Sequence, residues 1–428
     1  MKINYLINKK KQGQSLDKKD TNFLVKEFTN QKISDNEMCE FLKTIHKSKI
    51  EDKEILNLFE STIKYSRKIP FPQIPEFKID KHSTGGIGDN TTIVLMPLLS
   101  ALGLKIFKLS GKRLGHTGGT IDKMKIFPGI KLDYSIVDFQ KDAEKFNILL
   151  TSPIEEISLF EKKVYHLRTL TKTTKNVGLI VNSIMIKKIL IENDALLIDI
   201  KIGKGSLFKN LSEVKHFCNL IKKIAERYKR KYKIVYSNMN QPLGHAIGTK
   251  LEIFEAVEIM QGRGPEDLVE LIVELASNAL IMANKFQNLK DAKEKVLKVL
   301  NSGIVLEYFK KWIQFQGGDW KKVLNNRKIN TKHKISVKAT KLGYIWIPDA
   351  SQIGKFLNHI NLIDEFTIDN DSGIFWKHKN NSFVKKGDEI LVFYTNKKNI
   401  DFFKKKVNKL FVINARPKKK ISTVLTSI

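Results

Sequence analysis

From Lys81 to Thr92 the chain reads KHSTGGIGDNTT, a segment that gathers what a bound anion needs. Glycines let the backbone come close to a ligand, and successive N–H groups ahead of a helix form an anion nest. Lys81, Ser83 and Thr92 add a charge and hydroxyl donors of the kind phosphate wants. The spacing is that of neither a GxxxxGKS/T phosphate loop nor a GxGxxG dinucleotide loop, because Gly86-Ile-Gly88 runs into Asp-Asn-Thr. A tight turn capped by its own Ser and Thr is the competing reading. A second segment, SGKRLGHTGGTIDK from Ser110 to Lys123, repeats the Thr-Gly-Gly turn with further hydroxyls. Two such loops are much more specific than one. In the second, His116 reads as a stiffener of the loop. Ser183 and Lys187, four apart, share one face of a helix and can meet one ligand. Lys188, beside them, reads as a solvated helix position.

These groups need elements to hold them. FKID before the first loop and KIFKL before the second read as strands, so in an α/β sheet both loops open at carboxyl ends, where ligands bind. Buried strands are predicted at Lys105–Leu109, Asn147–Leu150 and Ala195–Ile202, with another at Lys233–Ser237. Helices are predicted at Leu179–Glu192, Leu211–Tyr228, Ala246–Met260 and Pro265–Asn284. The last has Pro265 at N1 and Glu266 and Asp267 in its first turn. This alternation favours an α/β unit with a mostly parallel sheet. Asp199 and Lys201, on the ALLIDIKI strand, are expected to pair or to hold an interface. Ahead of this unit, apolar residues spaced by three and four (Phe23 to Phe28, Met38 to Ile45, Ile55 to Ile63) predict three short helices. The proline-bearing Ile69–Pro75 reads as a hinge. After about Lys332, ISVKATKLGYIWIP, SGIFWKH and FVKKGDEILVFYT read as β-hairpins, with Lys386-Gly387-Asp388 as a turn.

Composition bounds the classes. The chain has 428 residues, 42% hydrophobic and 9% aromatic, enough for two or three domains around a large core. The best apolar stretch, around Leu271–Ala283, is interrupted by Glu274 and Asn278, and the first residues lack a signal-peptide pattern. Cys39 and Cys218 offer no metal or disulfide spacing. A soluble, cytoplasmic protein is expected. Lys and Arg total 76 against 45 Asp and Glu, a net charge of +31. Peaks at Lys222–Lys233 and Phe402–Lys420 stand out, yet the excess runs along the whole chain. That distribution reads as a lysine-rich solvated surface, with membrane and nucleic acid not expected as partners, and it favours an anionic substrate.

KHSTGGIGDNTT, LSGKRLGHTGGTIDK, YHLRTLTK, NSIMIKK, LLIDIKIGKGSLF and NMNQPLGHAIG together resemble the thymidine and pyrimidine-nucleoside phosphorylases, densely over about Lys81–Asp267. KATKLGYI and FVKKGDEIL carry a weaker likeness beyond it. The resemblance implies an α/β protein: a small all-helical domain, a larger mostly parallel α/β domain and a C-terminal α+β domain rich in β-hairpins. The limits that follow are 1–68 with a returning helical segment at about 163–193, then 69–162 with 194–331, then 332–428. It also implies a homodimer with the site in the interdomain cleft. Phosphate is expected at Lys81, Ser83, Thr92, Lys108, Ser110 and Thr120. The pyrimidine is expected at Arg168, Ser183 and Lys187, with His82 beside the sugar and base. Gly88, Asn90, Leu243, Ala246 and Glu255 are the implied K⁺ site, an oxygen set suited to a hard, weakly bound ion. No organic cofactor is implied.

This chain departs from the family pattern in places. Arg113 stands for a usual Gly, Thr169 for Asp, Asn238 for Asp, and Thr249-Lys250 for Asn-Ala. Lys204 and Ser206 replace smaller or neutral residues, and Asn90 is not the commonest residue in the cation loop. The implied reaction is reversible phosphorolysis of thymidine or deoxyuridine, with uridine open, to base and (2-deoxy)-α-D-ribose 1-phosphate in nucleoside salvage. Its transition state is oxocarbenium-like, with negative charge growing on the leaving base. Arg168 and Lys187 suit that charge, and His82 suits either proton transfer or a loop hydrogen bond. Two alternatives stay open. An anthranilate-phosphoribosyltransferase-like enzyme would want Mg²⁺ and an acidic pair near the cleft, whereas Asp364-Glu365 and Asp388-Glu389 fall in the C-terminal region. A degenerate, non-catalytic homologue would bind polyanions through its excess charge and Arg113.

Overall fold

Among the described residues four helices, not three, form the N-terminal region: α1 (Ile3–Lys11), α2 (Lys18–Thr29), α3 (Asp35–Lys47) and α4 (Asp52–Lys64). The computed structural model describes residues 2–48, 50–111, 119–154, 156–173, 176–364 and 367–427. The added helix, α1, ends in three lysines, which disguise it as a polar tail. It is held because Lys10 is buried and its ammonium lies 2.8 and 3.0 Å from the two carboxylate oxygens of Glu54 on α4. Capping boxes at Asp17 and Ser34 satisfy the first N–H groups of α2 and α3.

The chain then alternates. In order come β1 (Ile79–Ser83), α5 (Thr91–Ala101), β2 (Ile106–Leu109), α6 (Thr120–Met124), α7 (Ile136–Lys145) and β3 (Ile148–Thr151). Two helices follow, α8 (Leu159–Leu170) and α9 (Val177–Leu190), then β4 (Ala195–Ile202), α10 (Leu211–Arg227) and β5 (Lys231–Asn238). After β6 (Ala246–Ile247) lie α11 (Thr249–Met260), α12 (Glu266–Met282), α13 (Leu289–Leu300), α14 (Ile304–Phe315) and α15 (Trp320–Leu324). Strands β1, β4 and β5 are parallel neighbours, with Ile79 opposite Ala195 and Ala195 opposite Lys231. Strands β2 and β3 pair in parallel beside them, joined to β1 by Ile79 N–H donating to the Lys105 carbonyl at 2.9 Å. Ser83 and Ser110, at the ends of β1 and β2, therefore lie at the same carboxyl edge.

Helices α8 and α9 return to the N-terminal helices. Phe160, Val164, Leu167 and Leu179 share a core with Phe28, Phe41 and Leu58. The two crossings between the units run side by side: Ile69 N–H donates to Leu190 O at 2.8 Å, and Glu192 N–H to Ile69 O at 3.1 Å. The helix predicted from Ala246 begins later, because Ala246–Ile247 pairs with a C-terminal strand and Gly248, at φ +128°, turns the chain into α11. Pro265, predicted at N1, is instead the N-cap residue of α12, which begins one position later at Glu266.

The C-terminal region holds β7 (His333–Lys338), β8 (Gly343–Trp346), α16 (Ser351–Asn361), β9 (Gly373–Trp376), β10 (Phe383–Val384), β11 (Glu389–Thr395), α17 (Ile400–Val407), β12 (Val412–Asn414) and β13 (Val424–Ser427). The expected hairpins are corrected here. Among the described strands of this region β11 pairs with β7 and β9, and β8 with β10 and β12, so none of them pairs with the next strand in sequence. The Lys386-Gly387-Asp388 turn, with Gly387 at φ +95°, passes the chain from one sheet to the other. Alternation reveals a strand but not its partner. The last strand leaves the expected 332–428 unit: β13 lies antiparallel to β5, with Val424 opposite Ser237.

Candidate active site

Lys81 and Asp80 point to opposite faces of β1, and both are buried. A buried charge needs a partner. The Lys81 ammonium donates to Thr91 Oγ1 at 2.6 Å and to Thr92 Oγ1 at 3.4 Å, and it lies 3.3 Å from Asp199 Oδ2. Asp199 also holds Lys201 at 2.7 Å, so the pairing expected on β4 is present. The Ser83 and Thr91 hydroxyls both donate to Asp89, at 2.6 and 2.5 Å. Burial alone would raise the Asp89 carboxyl, but Lys201, Lys81 and Lys123 hold it well below the usual range. The first loop is thus a built charge network, more than a capped turn.

On the other face of β1, Asp80 meets a lysine of the neighbouring β2. Lys108 lies 3.2 Å from Asp80 Oδ1 and also contacts the Lys81 carbonyl. Burial, with the nearby Lys188 and Lys81, pushes its ammonium down to about 7, against the opposing pull of Asp80. Ser110 follows, its N–H bonded to Thr151 O at 2.9 Å, and Thr120 begins α6. Arg113 and His116 lie outside the described residues.

The base-side groups sit on α8 and α9. Lys187 donates to its own helix at Ser183 O (2.8 Å) and to Ser183 Oγ (3.2 Å), so the predicted shared face is observed. Burial and the charges of Lys188 and Arg168 lower its ammonium, while Glu161 opposes them. Arg168 is 4% exposed, and its Nη1 donates to Leu179 O at 3.0 Å, tying α8 to α9. His82 stands where the two sides meet. Burial and four lysines, Lys188, Lys108, Lys81 and Lys187, push its imidazole well below the ordinary range. Its Nε2 is buried without a hydrogen-bond partner among the described residues.

Lys188 corrects the sequence reading. It is not a solvated position: it is 3% exposed, 2.5 Å from Asp80 Oδ2 and 3.3 Å from Leu109 O. Sequence reasoning also passed over Asp80 and Asp89. The available signal was β1 itself, in which Asp and Lys alternate along a strand placed between two others. Of the departures, Lys204 reaches Pro348 O at 2.9 Å and Lys250 reaches Asp371 at 2.8 Å, so both tie the α/β unit to the C-terminal one. Thr169 is exposed, its hydroxyl donating to Tyr165 O.

The oxygen set proposed for a monovalent cation is also assembled. A side chain at Gly88, whose φ is +70°, would collide with the Leu243 carbonyl oxygen and press on that of Ala246. Asn90 donates to Glu255 Oε2 at 3.2 Å, while its buried Oδ1 has no hydrogen-bond partner among the described residues. Glu255 Oε1 accepts from His245 N–H and Ala246 N–H at 2.6 and 3.0 Å, and burial raises its carboxyl to about 7. A buried carboxylate, convergent carbonyls and an unused amide oxygen fit a hard cation.

Comparison with known proteins fixes the class first. Residues 76–306 match the family model described as "Glycosyl transferase family, a/b domain". The solved anthranilate phosphoribosyltransferase of Thermus thermophilus shares the fold, with a TM-score of 0.58 at 13% identity over 72% of this chain and 98% of that one. Fold and family model together define a glycosyltransferase. Pyrimidine-nucleoside phosphorylases supply the nearer likeness. The enzyme of Staphylococcus epidermidis (strain ATCC 12228) is 34% identical over 420 residues, and that of Geobacillus stearothermophilus over 421, each covering 97% of both chains. The Staphylococcus aureus (strain N315) enzyme is 33% identical over 417 residues, 96% of each. The chain belongs to the pyrimidine-nucleoside phosphorylase family and is a pentosyltransferase.

Proposed function

We propose that the chain catalyses reversible phosphorolysis of thymidine and deoxyuridine, with uridine the third nucleoside to test, giving free base and (2-deoxy)-α-D-ribose 1-phosphate for nucleoside salvage. The observation that carries the reading is the convergence of the two sides on one buried carboxylate, Asp80, which holds Lys108 of β2 at 3.2 Å and Lys188, the neighbour of Lys187 on α9, at 2.5 Å. Lys81, Lys108, the hydroxyls of Ser83, Thr92, Ser110 and Thr120 and the glycine-loop N–H groups receive phosphate. Arg168, Ser183 and Lys187 receive the pyrimidine, and Lys187 stabilises the charge that grows on it. His82 acts as a neutral imidazole. Its depressed pKa keeps it unprotonated near pH 7, so it is a hydrogen-bonding group rather than a proton donor. Gly88, Asn90, Leu243, Ala246 and Glu255 would hold K⁺, which when bound supplies a charge that neutralises Glu255 and steadies the first loop.

Substrates enter between units that close about the paired crossings at Ile69 and Leu190–Glu192. Homodimerisation and a cytoplasmic location complete the proposal. Among the described residues no helix is long and apolar enough to cross a membrane. The test is base release from thymidine, deoxyuridine and uridine with and without inorganic phosphate. Release from the deoxynucleosides only with phosphate is expected; equal release without it would make the enzyme a hydrolase.

A further inference from the structure

The Asp80 carboxylate is fully buried and gives each oxygen to a different lysine: Oδ1 to Lys108 at 3.2 Å and Oδ2 to Lys188 at 2.5 Å. The two contacts differ in kind. Lys108 sits on β2 beside the phosphate loops. Lys188 comes from α9, the helix that carries Ser183 and Lys187, and is anchored a second time at Leu109 O. One carboxylate thus joins a strand of the phosphate side to the helix of the base side. We propose that Asp80 and Lys188 are positioning residues for the phosphate site: Asp80 holds the Lys108 ammonium until phosphate takes it, and Lys188 keeps Asp80 neutralised when Lys108 leaves.

The proposal rests on the phosphorolytic reading and deepens it. A buried carboxylate stripped of its cation is costly. With Lys188 in place, transfer of Lys108 from Asp80 to a phosphate oxygen leaves no unpaired anion behind. Without Lys188, Lys108 is the one cation left to Asp80 among the described residues, and Asp80 competes with phosphate for it. Among the described residues, the charged and titratable groups around Lys108 are Asp80, Lys81 and His82 on β1 and Lys188 on α9. Helix α5 and strand β3, which pack on the same strand, carry no charged side chain. A lysine lowered toward neutrality loses its charge as pH rises, so phosphate binding weakens on the alkaline side. Removing Lys188 removes a like charge and moves that limb to higher pH. Removing the Asp80 charge moves it to lower pH.

The test is steady-state phosphorolysis of thymidine with inorganic phosphate varied from pH 6 to 9, on the wild type, Lys188→Met, Lys188→Arg and Asp80→Asn. Lys188→Met is expected to raise the phosphate KM about ten- to a hundredfold, the scale of one charge-assisted hydrogen bond, and the nucleoside KM far less. Lys188→Arg should restore most of it. The alkaline limb of the phosphate KM should shift upward in Lys188→Met and downward in Asp80→Asn, opposite directions that loss of packing alone does not produce. If Lys188→Met fails to fold, Asp80→Asn carries the test through the downward shift of the limb, with Lys188→Arg, which keeps the charge, expected to stay near the wild type. A phosphate-dependent wild type with an unmoved phosphate KM and limb in Lys188→Met and Asp80→Asn would overturn the proposal. A wild type without phosphate dependence would overturn the phosphorolytic reading itself.

Discussion

The phosphate side and the base side of the site neutralise their cations in different ways. On the phosphate side the buried lysines Lys81 and Lys201 meet Asp199, and Lys108 meets Asp80, which Lys188 reaches across from α9. On the base side the hydrogen bonds of Lys187 go to neutral oxygens, the carbonyl and hydroxyl of Ser183. The difference matches the charges each side must meet. Phosphate arrives already anionic and can displace a carboxylate from a shared ammonium. The leaving pyrimidine is charged only in the transition state, so a cation committed to a permanent anion would have little left to offer it.

Breaking the phosphate side should have the largest effect on the fold. Asp199 is fully buried and holds two ammonium groups and the Ser237 hydroxyl, the last at 2.6 Å. Asp199→Asn should cost about 3–5 kcal/mol, the scale for removing one partner of a buried ion pair. The shift of the denaturant midpoint measures it; an unmoved midpoint would mean that the lysines find other partners.

Breaking the base side should spare the fold and strike turnover. Lys187→Ala should lower kcat about a hundred- to a thousandfold, or ~2.7–4 kcal/mol, with a smaller change in nucleoside binding. A 5-halogenated deoxyuridine, whose base is a better leaving group, should recover part of the loss. An equal loss on both substrates would reduce Lys187 to a packing role.

The cation loop sharpens the comparison with the smallest effect. Glu255 has its carboxyl raised to about 7, so the folded state keeps a proton that the unfolded state releases. From the usual carboxylate range up to about pH 7, its contribution to stability therefore falls as pH rises, by about 1.4 kcal/mol per pH unit at most. A bound monovalent cation favours the ionised form and offsets that loss. Replacing K⁺ by tetramethylammonium should lower Tm more at pH 8 than at pH 6. Equal shifts at both pH values would remove Glu255 from the cation site.

Much of this arrangement was legible in the sequence. Strand β4 is legible to the residue because ALLIDIKI is a short run of apolar residues broken only by Asp199 and Lys201, and the i, i+4 pair of Ser183 and Lys187 lies where helical periodicity puts it. The failures share one cause. Helix α1, Asp80 and Lys188 all depend on buried charges whose partners lie far along the chain, 44 residues for Lys10 and Glu54 and 108 for Lys188 and Asp80. Local spacing marks a lysine as solvated by default, and only the fold supplies the distant carboxylate. The C-terminal strands failed similarly: each was visible, but their interleaved pairing is non-local.

The central claim is that phosphate itself becomes bonded to the sugar. Incubating the wild-type enzyme with thymidine and inorganic phosphate, and following the phosphorus by ³¹P NMR, tests this directly. The account predicts a sugar 1-phosphate resonance growing in step with free thymine while the inorganic phosphate signal declines by the same amount. Thymine release with the inorganic phosphate signal unchanged would contradict it.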